Sequence, residues 1–105
     1  MADHIVQVNY TDSGTFTPTP NPVRVQAGQT ITFKLVDGPP NGKIRITFHD
    51  PQFFSAAQFH DGGGNIHVTA NPTPTTYHCE LLVDGKVVAQ SHEHTGGDIV
   101  PDITP

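Results

Sequence analysis

The chain is poor in strong helix formers, in charge and in sulfur. Leucine occurs only three times, tryptophan is absent, and charged residues make up 14% of the chain, against about 25% in ordinary domains. The only methionine is Met1 and the only cysteine is Cys79. A single cysteine excludes an internal disulfide, and the shortage of leucine and of charged helix formers argues against helical structure.

A basic surface is also missing. Ten acidic residues oppose five basic ones, which gives a net charge of −5. The basic residues are scattered along the chain: Arg24, Lys34, Lys43, Arg45 and Lys86. Nucleic-acid binding depends on clustered lysine and arginine, so we expect no nucleic-acid partner. No run approaches the ~18 apolar residues of a membrane span, so we expect no membrane association either.

The first residues lack the features of a secretion signal. Met1-Ala2-Asp3-His4 carries neither a basic n-region nor an apolar h-region. As the sequence stands, we expect a cytoplasmic protein; a periplasmic or secreted one would follow if a signal had been removed. The lone cysteine agrees with a reducing compartment.

Threonine, glycine, proline and β-branched apolar residues are abundant. The chain holds thirteen threonines, ten glycines and ten prolines, while valine and isoleucine supply most of its apolar mass. This mixture favours pleated, half-buried strands joined by turns. A chain of 105 residues is the size of one domain. We therefore predict a single all-β domain spanning 1–105.

Apolar residues alternate with polar ones in several short runs. Within 29–36, Ile31, Phe33 and Leu35 point to one side of a strand, and 43–48 repeats the pattern. Turn residues separate such runs at intervals of about 8–12 residues, which is typical of β-sandwiches. We predict one Greek-key β-sandwich of seven to eight strands. Spacing alone leaves immunoglobulin-like and cupredoxin-like topologies open.

One hairpin is predicted in residue detail. Asp84-Gly85 favours a two-residue type I′ turn, in which both central residues take positive φ. Such a turn pairs Val83 with Lys86. If the ladder continues without interruption, it pairs Cys79 with Gln90.

Parts of the chain resemble strands of cupredoxin-like β-sandwiches. Phe16-Thr17-Pro18, followed by Val23-x-Val25-x-x-Gly28-x-Thr30-Ile31-Thr32-Phe33, resembles the edge strand, turn and central strand of small cupredoxins. The segment 41–48 resembles their next strand, and Thr76-Tyr77-His78-Cys79 resembles the strand that supplies a copper-ligating thiolate. The resemblance covers roughly residues 14 to 90 and implies a cupredoxin-like fold.

The resemblance also implies copper ligands that this chain does not carry. A blue copper site needs two imidazoles, one thiolate and a weak axial ligand, usually methionine. Where the family has its first histidine, this chain has Gly42 or Lys43, and Cys79 is followed by Glu80-Leu81-Leu82-Val83. We therefore expect no blue copper centre and no other resident cofactor. The chain is interpreted as a small, non-catalytic binding or interaction module.

The least regular stretch of the sequence, 50–64, is a candidate binding loop, because a long segment without a pattern is unusual in a compact domain. Exposed aromatic residues mark partner sites. The candidate partner-binding residues are His49, Phe53, Phe54, Phe59 and His60. Alternatively, the aromatic residues fold back and cap the open end of the sandwich. The partner is a protein or a small molecule, and we expect a monomer or a weak homodimer.

A second hypothesis is a metal site of another type. Cys79, His92 and His94 are its candidate ligands, with His49 or His78 as a further one. Zinc and copper both accept imidazole and thiolate ligands. The competing interpretation makes Cys79 a small buried hydrophobic residue and places the histidines in a solvated loop.

A third hypothesis is a small cytosolic enzyme, or a subunit of one, with a histidine from 49–67 as its base. It depends on the abundance of histidine, which occurs seven times. No recognisable spacing places a nucleophile beside a base, so no catalytic residue is named.

Overall fold

The computed structural model describes residues 3–10, 16–61, 64–91 and 96–102. They form ten strands, which are β1 His4–Tyr10, β2 Phe16–Thr19, β3 Val23–Val25, β4 Thr30–Val36, β5 Gly42–Phe48, β6 Gln58–His60, β7 Ile66–His67, β8 Thr75–Val83, β9 Lys86–Gln90 and β10 Gly97–Pro101. The only helical element in these ranges is a short 3-10 turn at Pro51–Phe53. None of the described residues belongs to a helix long and apolar enough to cross a membrane.

The strands form two sheets that pack face to face as an all-β sandwich. The small sheet has the order β2-β1-β4-β7, with β1 and β4 parallel. The large sheet has the order β3-β10-β8-β5-β6, and β9 also pairs with β8. β9 and β10 lie beside different halves of β8, because β10 pairs with Thr75–Tyr77 and β9 with Glu80–Val83. The prediction of a β-sandwich is confirmed.

The core lies between the sheets and follows the predicted alternation. Ile31 and Phe33 on β4 are buried, as are Ile44, Ile46 and Phe48 on β5. Phe33 is central, because its ring lies 5.1 Å from that of Tyr77 and 5.3 Å from that of Phe59. Aromatic pairs at such distances contribute beyond the apolar area they bury.

The described residues form ten strands, more than the predicted seven to eight, and β6 lies inside the stretch expected to be irregular. β6 is only three residues long, and its pairing with Arg45–Thr47 of β5 defines it. A strand this short has too few residues to show an alternating pattern in the sequence. The neighbouring strand, supplied by the tertiary structure, decides its conformation.

The hairpin has the predicted turn but a different register. Asp84 and Gly85 have φ of 53° and 80°, as a type I′ turn requires. Val83 pairs with Lys86 as expected, but a bulge between Leu81 and Leu82 then shifts the ladder by one residue. The pairs beyond the bulge are Leu81 with Ala89 and Glu80 with Gln90.

The shift corrects the predicted partner of Cys79. Instead of Gln90, Ser91 lies beside Cys79, and its backbone N–H donates to the carbonyl oxygen of Cys79 at 2.8 Å. A bulge inserts one extra residue into one strand of a pair, so every later residue changes its partner. Ser91 is consequently buried, whereas Gln90 is exposed.

Candidate functional site

Cys79 points into the core. Its side chain is fully buried, and it pairs with Ile46 at the centre of the large sheet. Burial raises the pKa of the thiol to about 12, since desolvation disfavours the thiolate. His78 precedes Cys79 on the same strand and so points to the opposite, outer face. The other two predicted ligands, His92 and His94, lie outside the described residues.

Two of the predicted partner-binding aromatics are core residues. Phe54 is 6% exposed and Phe59 only 3%. The ring of Phe54 stacks on Phe48 at a centroid distance of 4.3 Å, and Phe59 packs against Phe33. The prediction that Phe54 and Phe59 are exposed on a binding loop is therefore wrong. Both rings fold back onto the sandwich, as the alternative interpretation expected. Their burial removes apolar area from water, which a solvated loop would leave exposed.

The remaining residues of that candidate surface are separated along the large sheet. Phe53 is half-buried, whereas His49 and His60 are exposed. His60 lies opposite Arg45 in the middle of β5, and His49 directly follows the last residue of that strand. His67, which the third hypothesis also offers as the base of an enzyme, belongs to β7 in the small sheet. The structure does not bring these histidines together.

A cleft of about 590 Å³ opens on the outer face of the large sheet, which we call the outer cleft. Its volume falls within the ~300–1,000 Å³ of ligand pockets. The side chains that matter for its chemistry are Lys43, Arg45, His60, Asp61, Leu82 and Asp84. Two lysine or arginine side chains and two aspartates thus line the same opening.

Arg45, which lines the outer cleft, forms an ion pair with Glu80. Arg45 Nε donates to Glu80 Oε1 at 2.8 Å, and Arg45 Nη2 donates to Glu80 Oε2 at 2.9 Å. These hydrogen bonds raise the pKa of Arg45 and hold the pKa of Glu80 below its ordinary value. A guanidinium has five N–H donors, so three are left over by this pairing. The two-point contact fixes the plane of the guanidinium before any ligand arrives.

The sheet register places the other groups around this ion pair. His60 is the direct cross-strand neighbour of Arg45, and Lys43 lies two residues earlier on the same face of β5. Direct neighbours have Cβ atoms about 4.5–5.5 Å apart, and diagonal ones lie about 7–8 Å apart. Asp61 is turned towards the backbone, where its Oδ2 accepts the N–H of Ile44 at 3.3 Å. One small ligand can therefore reach several of these side chains at once.

Sequence reasoning missed the outer cleft, except for His60. Arg45 and Glu80 are 35 positions apart in the chain, and only the pairing of β5 with β8 makes them neighbours. The alternation did indicate that Lys43 and Arg45 point away from the core. The sequence did contain one signal for this ion pair. Arg45 and Glu80 carry opposite charges and lie on two strands that were predicted to belong to the same sandwich.

A smaller cavity of about 240 Å³ lies further along the same face. It is lined by Thr47, Phe48, His49, Tyr77 and His78. Ser91 Oγ accepts the N–H of Cys79 at 2.8 Å and lies 3.2 Å from Nδ1 of His78. This contact orients the imidazole of His78 and leaves its Nε2 for another partner.

Within the described ranges, no group of three or more histidine, cysteine, aspartate or glutamate side chains is placed to hold a metal ion. Comparison with protein-family models, with curated proteins and with solved structures finds no match to this chain.

Proposed function

We propose that the chain is a non-catalytic binding module on a cupredoxin-like sandwich without a blue copper centre, and that it binds its ligand in the outer cleft. Charges of both signs around one ligand-sized opening carry this proposal. The ligand that complements them is a small bipolar molecule, with a carboxylate for Lys43 and Arg45 and an ammonium group for Asp61 or Asp84.

The position of Cys79 supports the absence of blue copper. The expected places of the family's first histidine, Gly42 or Lys43, pair with Val83 and Leu82, whereas Cys79 pairs with Ile46. Three to four residues along a strand span about 10–13 Å, which is long for two ligands of one copper ion. Cys79 also points into the core.

The outer cleft can be tested with 6-aminohexanoate as the probe and with hexanoate and hexylamine as single-charge controls. We expect the bipolar probe to bind more tightly than either control, with backbone amide shifts at Lys43, Arg45 and His60 in NMR titrations. Lys43→Ala should weaken its binding about three- to fivefold, as expected for one exposed charge pair.

Lys34→Ala is the matched control, because Lys34 is an exposed lysine on β4 of the small sheet. It should leave the dissociation constant unchanged. Equal binding of all three probes, or equal losses in the two lysine variants, would contradict a charge-matched site in the outer cleft.

A second candidate function is transition-metal binding on the outer face, favoured by the two histidines of the smaller cavity. Thr47 pairs with His78, and His49 N–H donates to the carbonyl oxygen of Thr76 at 3.1 Å. His49 and His78 are thus diagonal neighbours on one face, about 7–8 Å apart. Two imidazoles at this spacing suit zinc or copper, and Ser91 orients one of them.

Zinc titration of the untagged protein, followed by calorimetry, tests this second candidate. We expect His49→Ala and His78→Ala each to weaken zinc binding by more than about tenfold, because even the loss of an outer-shell partner of a metal ligand typically costs about 10- to 100-fold. His67→Ala, an exposed histidine on the small sheet, is the control and should bind zinc normally. Zinc affinity that survives His49→Ala/His78→Ala but is lost in His92→Ala/His94→Ala would assign the site to the other pair.

A further inference from the structure

A histidine lies among the charged side chains of the outer cleft. His60 lines this cleft together with Lys43, Arg45, Asp61 and Asp84. An imidazole changes its charge between about pH 5 and 8, whereas lysine, arginine and aspartate side chains ordinarily keep theirs over that range. His60 is therefore the lining group through which pH can change the charge of the outer cleft.

The pairing of β5 with β6 brings His60 close to Arg45. The backbone N–H of Asp61 donates to the carbonyl oxygen of Ile44 at 3.1 Å. In an antiparallel ladder, pairs that exchange backbone hydrogen bonds alternate with pairs that do not, and the second kind has the closer side chains. The next pair of this ladder, Arg45 with His60, is of the closer kind. The imidazole and the guanidinium are thus immediate cross-strand neighbours.

Both side chains lie on the outer face of the large sheet. On the same two strands, Gln58 Nε2 donates to Thr47 Oγ1 at 3.2 Å. This pair lies two residues along the ladder from Arg45 and His60, a spacing that keeps all four side chains on one face. His60 is exposed there, whereas the preceding Phe59 is buried.

The charge of Arg45 is already balanced by Glu80. Of the described strands only β5 pairs with β6, so the groups that face His60 are Arg45, with Lys43 diagonal to it, and Asp61 follows it in the chain. With Glu80 included, two basic and three acidic side chains surround the cleft, which leaves one negative charge in excess. Protonation of His60 supplies the missing positive charge beside the guanidinium, and Glu80 limits the repulsion between the two cations.

We propose that His60 is the carboxylate anchor of the outer cleft and that, in its protonated form, it binds the ligand's carboxylate together with the free N–H donors of Arg45. The inference rests on the proposed function of this cleft and adds the residue that sets its affinity for carboxylates. Because the carboxylate prefers the protonated imidazole, binding is coupled to the uptake of a proton from solvent, and affinity rises as the pH falls.

Hexanoate is the probe for the anchor, because it carries a carboxylate and no ammonium group. NMR titrations at about pH 7.5 and about pH 5.8 compare the two charge states of an ordinary imidazole, while carboxyl groups stay ionised. We expect hexanoate to bind about three- to fivefold more tightly at the lower pH, the effect of one exposed charge pair, with amide shifts at Arg45 and His60. Hexylamine should bind no more tightly there, since the added proton makes the cleft more positive.

Two variants of His60 separate its charge from its shape. His60→Gln should bind hexanoate equally at both pH values, because glutamine takes up no proton. His60→Lys is positive at both and should bind hexanoate at about pH 7.5 as tightly as the unchanged protein does at about pH 5.8. His67→Gln, on the small sheet, and His78→Gln, whose imidazole acts on Glu80, are the matched controls and should keep the pH response. Circular dichroism checks that all four variants are folded.

A hexanoate affinity that does not change with pH, or no hexanoate binding at either pH, would overturn the proposal. So would a pH response that survives in His60→Gln, or one that is lost in His78→Gln instead. Failure of the bipolar ligand is a separate result. If 6-aminohexanoate binds no more tightly than hexanoate while the pH response still depends on His60, the anchor is supported and the selection of bipolar molecules is refuted.

Discussion

Ellman's reagent should modify Cys79 at pH 7 at least about 1,000-fold more slowly in the folded protein than in the unfolded one. The side chain has no exposed surface, and burial raises the pKa of the thiol to about 12. The reactive species is the thiolate, which is scarce under these conditions. Reaction therefore has to wait for unfolding, and a stability of at least about 5 kcal/mol makes the open state rarer than one molecule in about 1,000.

The reference measurement uses the same protein in denaturant, where one thiol per chain should react at the rate of a small peptide thiol. Rapid, complete modification of the folded protein would show that Cys79 is accessible and would contradict its place in the core. Cys79→Ala should lower the free energy of unfolding by roughly 1–2 kcal/mol, the range for a small core truncation. Cys79→Ser should cost at least as much, since it buries a hydroxyl group among apolar neighbours.

Phe33→Ala should destabilise the protein by about 3–5 kcal/mol, the usual cost of removing a buried phenylalanine side chain. Phe33 is 3% exposed and packs against Phe48, Phe59 and Tyr77, with ring centroids 5.1 to 6.1 Å away. Its removal leaves a cavity where the two sheets meet, which the surrounding rings can fill only in part. Urea denaturation followed by circular dichroism measures the loss, which is a large share of a typical stability of about 5–15 kcal/mol.

Phe53→Ala provides the matched control for Phe33→Ala. Phe53 is half-buried at the end of the 3-10 turn and packs against the core from outside, so its truncation should cost clearly less. A cost for Phe33→Ala below about 1.5 kcal/mol, or one no greater than for Phe53→Ala, would contradict a central role of Phe33.

Local sequence patterns were sufficient to predict which residues of the longer strands face the core. The alternation in β4 and β5 correctly placed Ile31, Phe33, Ile44 and Ile46 inside, because successive side chains of any strand point to opposite faces. Asp84-Gly85 correctly predicted its turn for an equally local reason, since few residues accept positive φ. These features depend on residues adjacent in the chain.

Contacts between distant residues were decided only by the tertiary structure. The bulge that gives Cys79 the neighbour Ser91 has no mark in the sequence. The fold likewise buried Phe54 and Phe59, because the space between the sheets has to be filled and these rings were within reach.

The outer cleft shows the same division. Alternation placed Lys43 and Arg45 on the outer face, but their surroundings depend on which strands lie beside β5 and in which register. A shift of one residue in β8 would turn Glu80 to the opposite face, and the same shift in β6 would turn His60 away. Either shift would separate the charged groups of the outer cleft. The sequence by itself thus determined the all-β class and the inward residues, which follow from local conformation. Strand pairing across long separations in the chain decided the charged cleft.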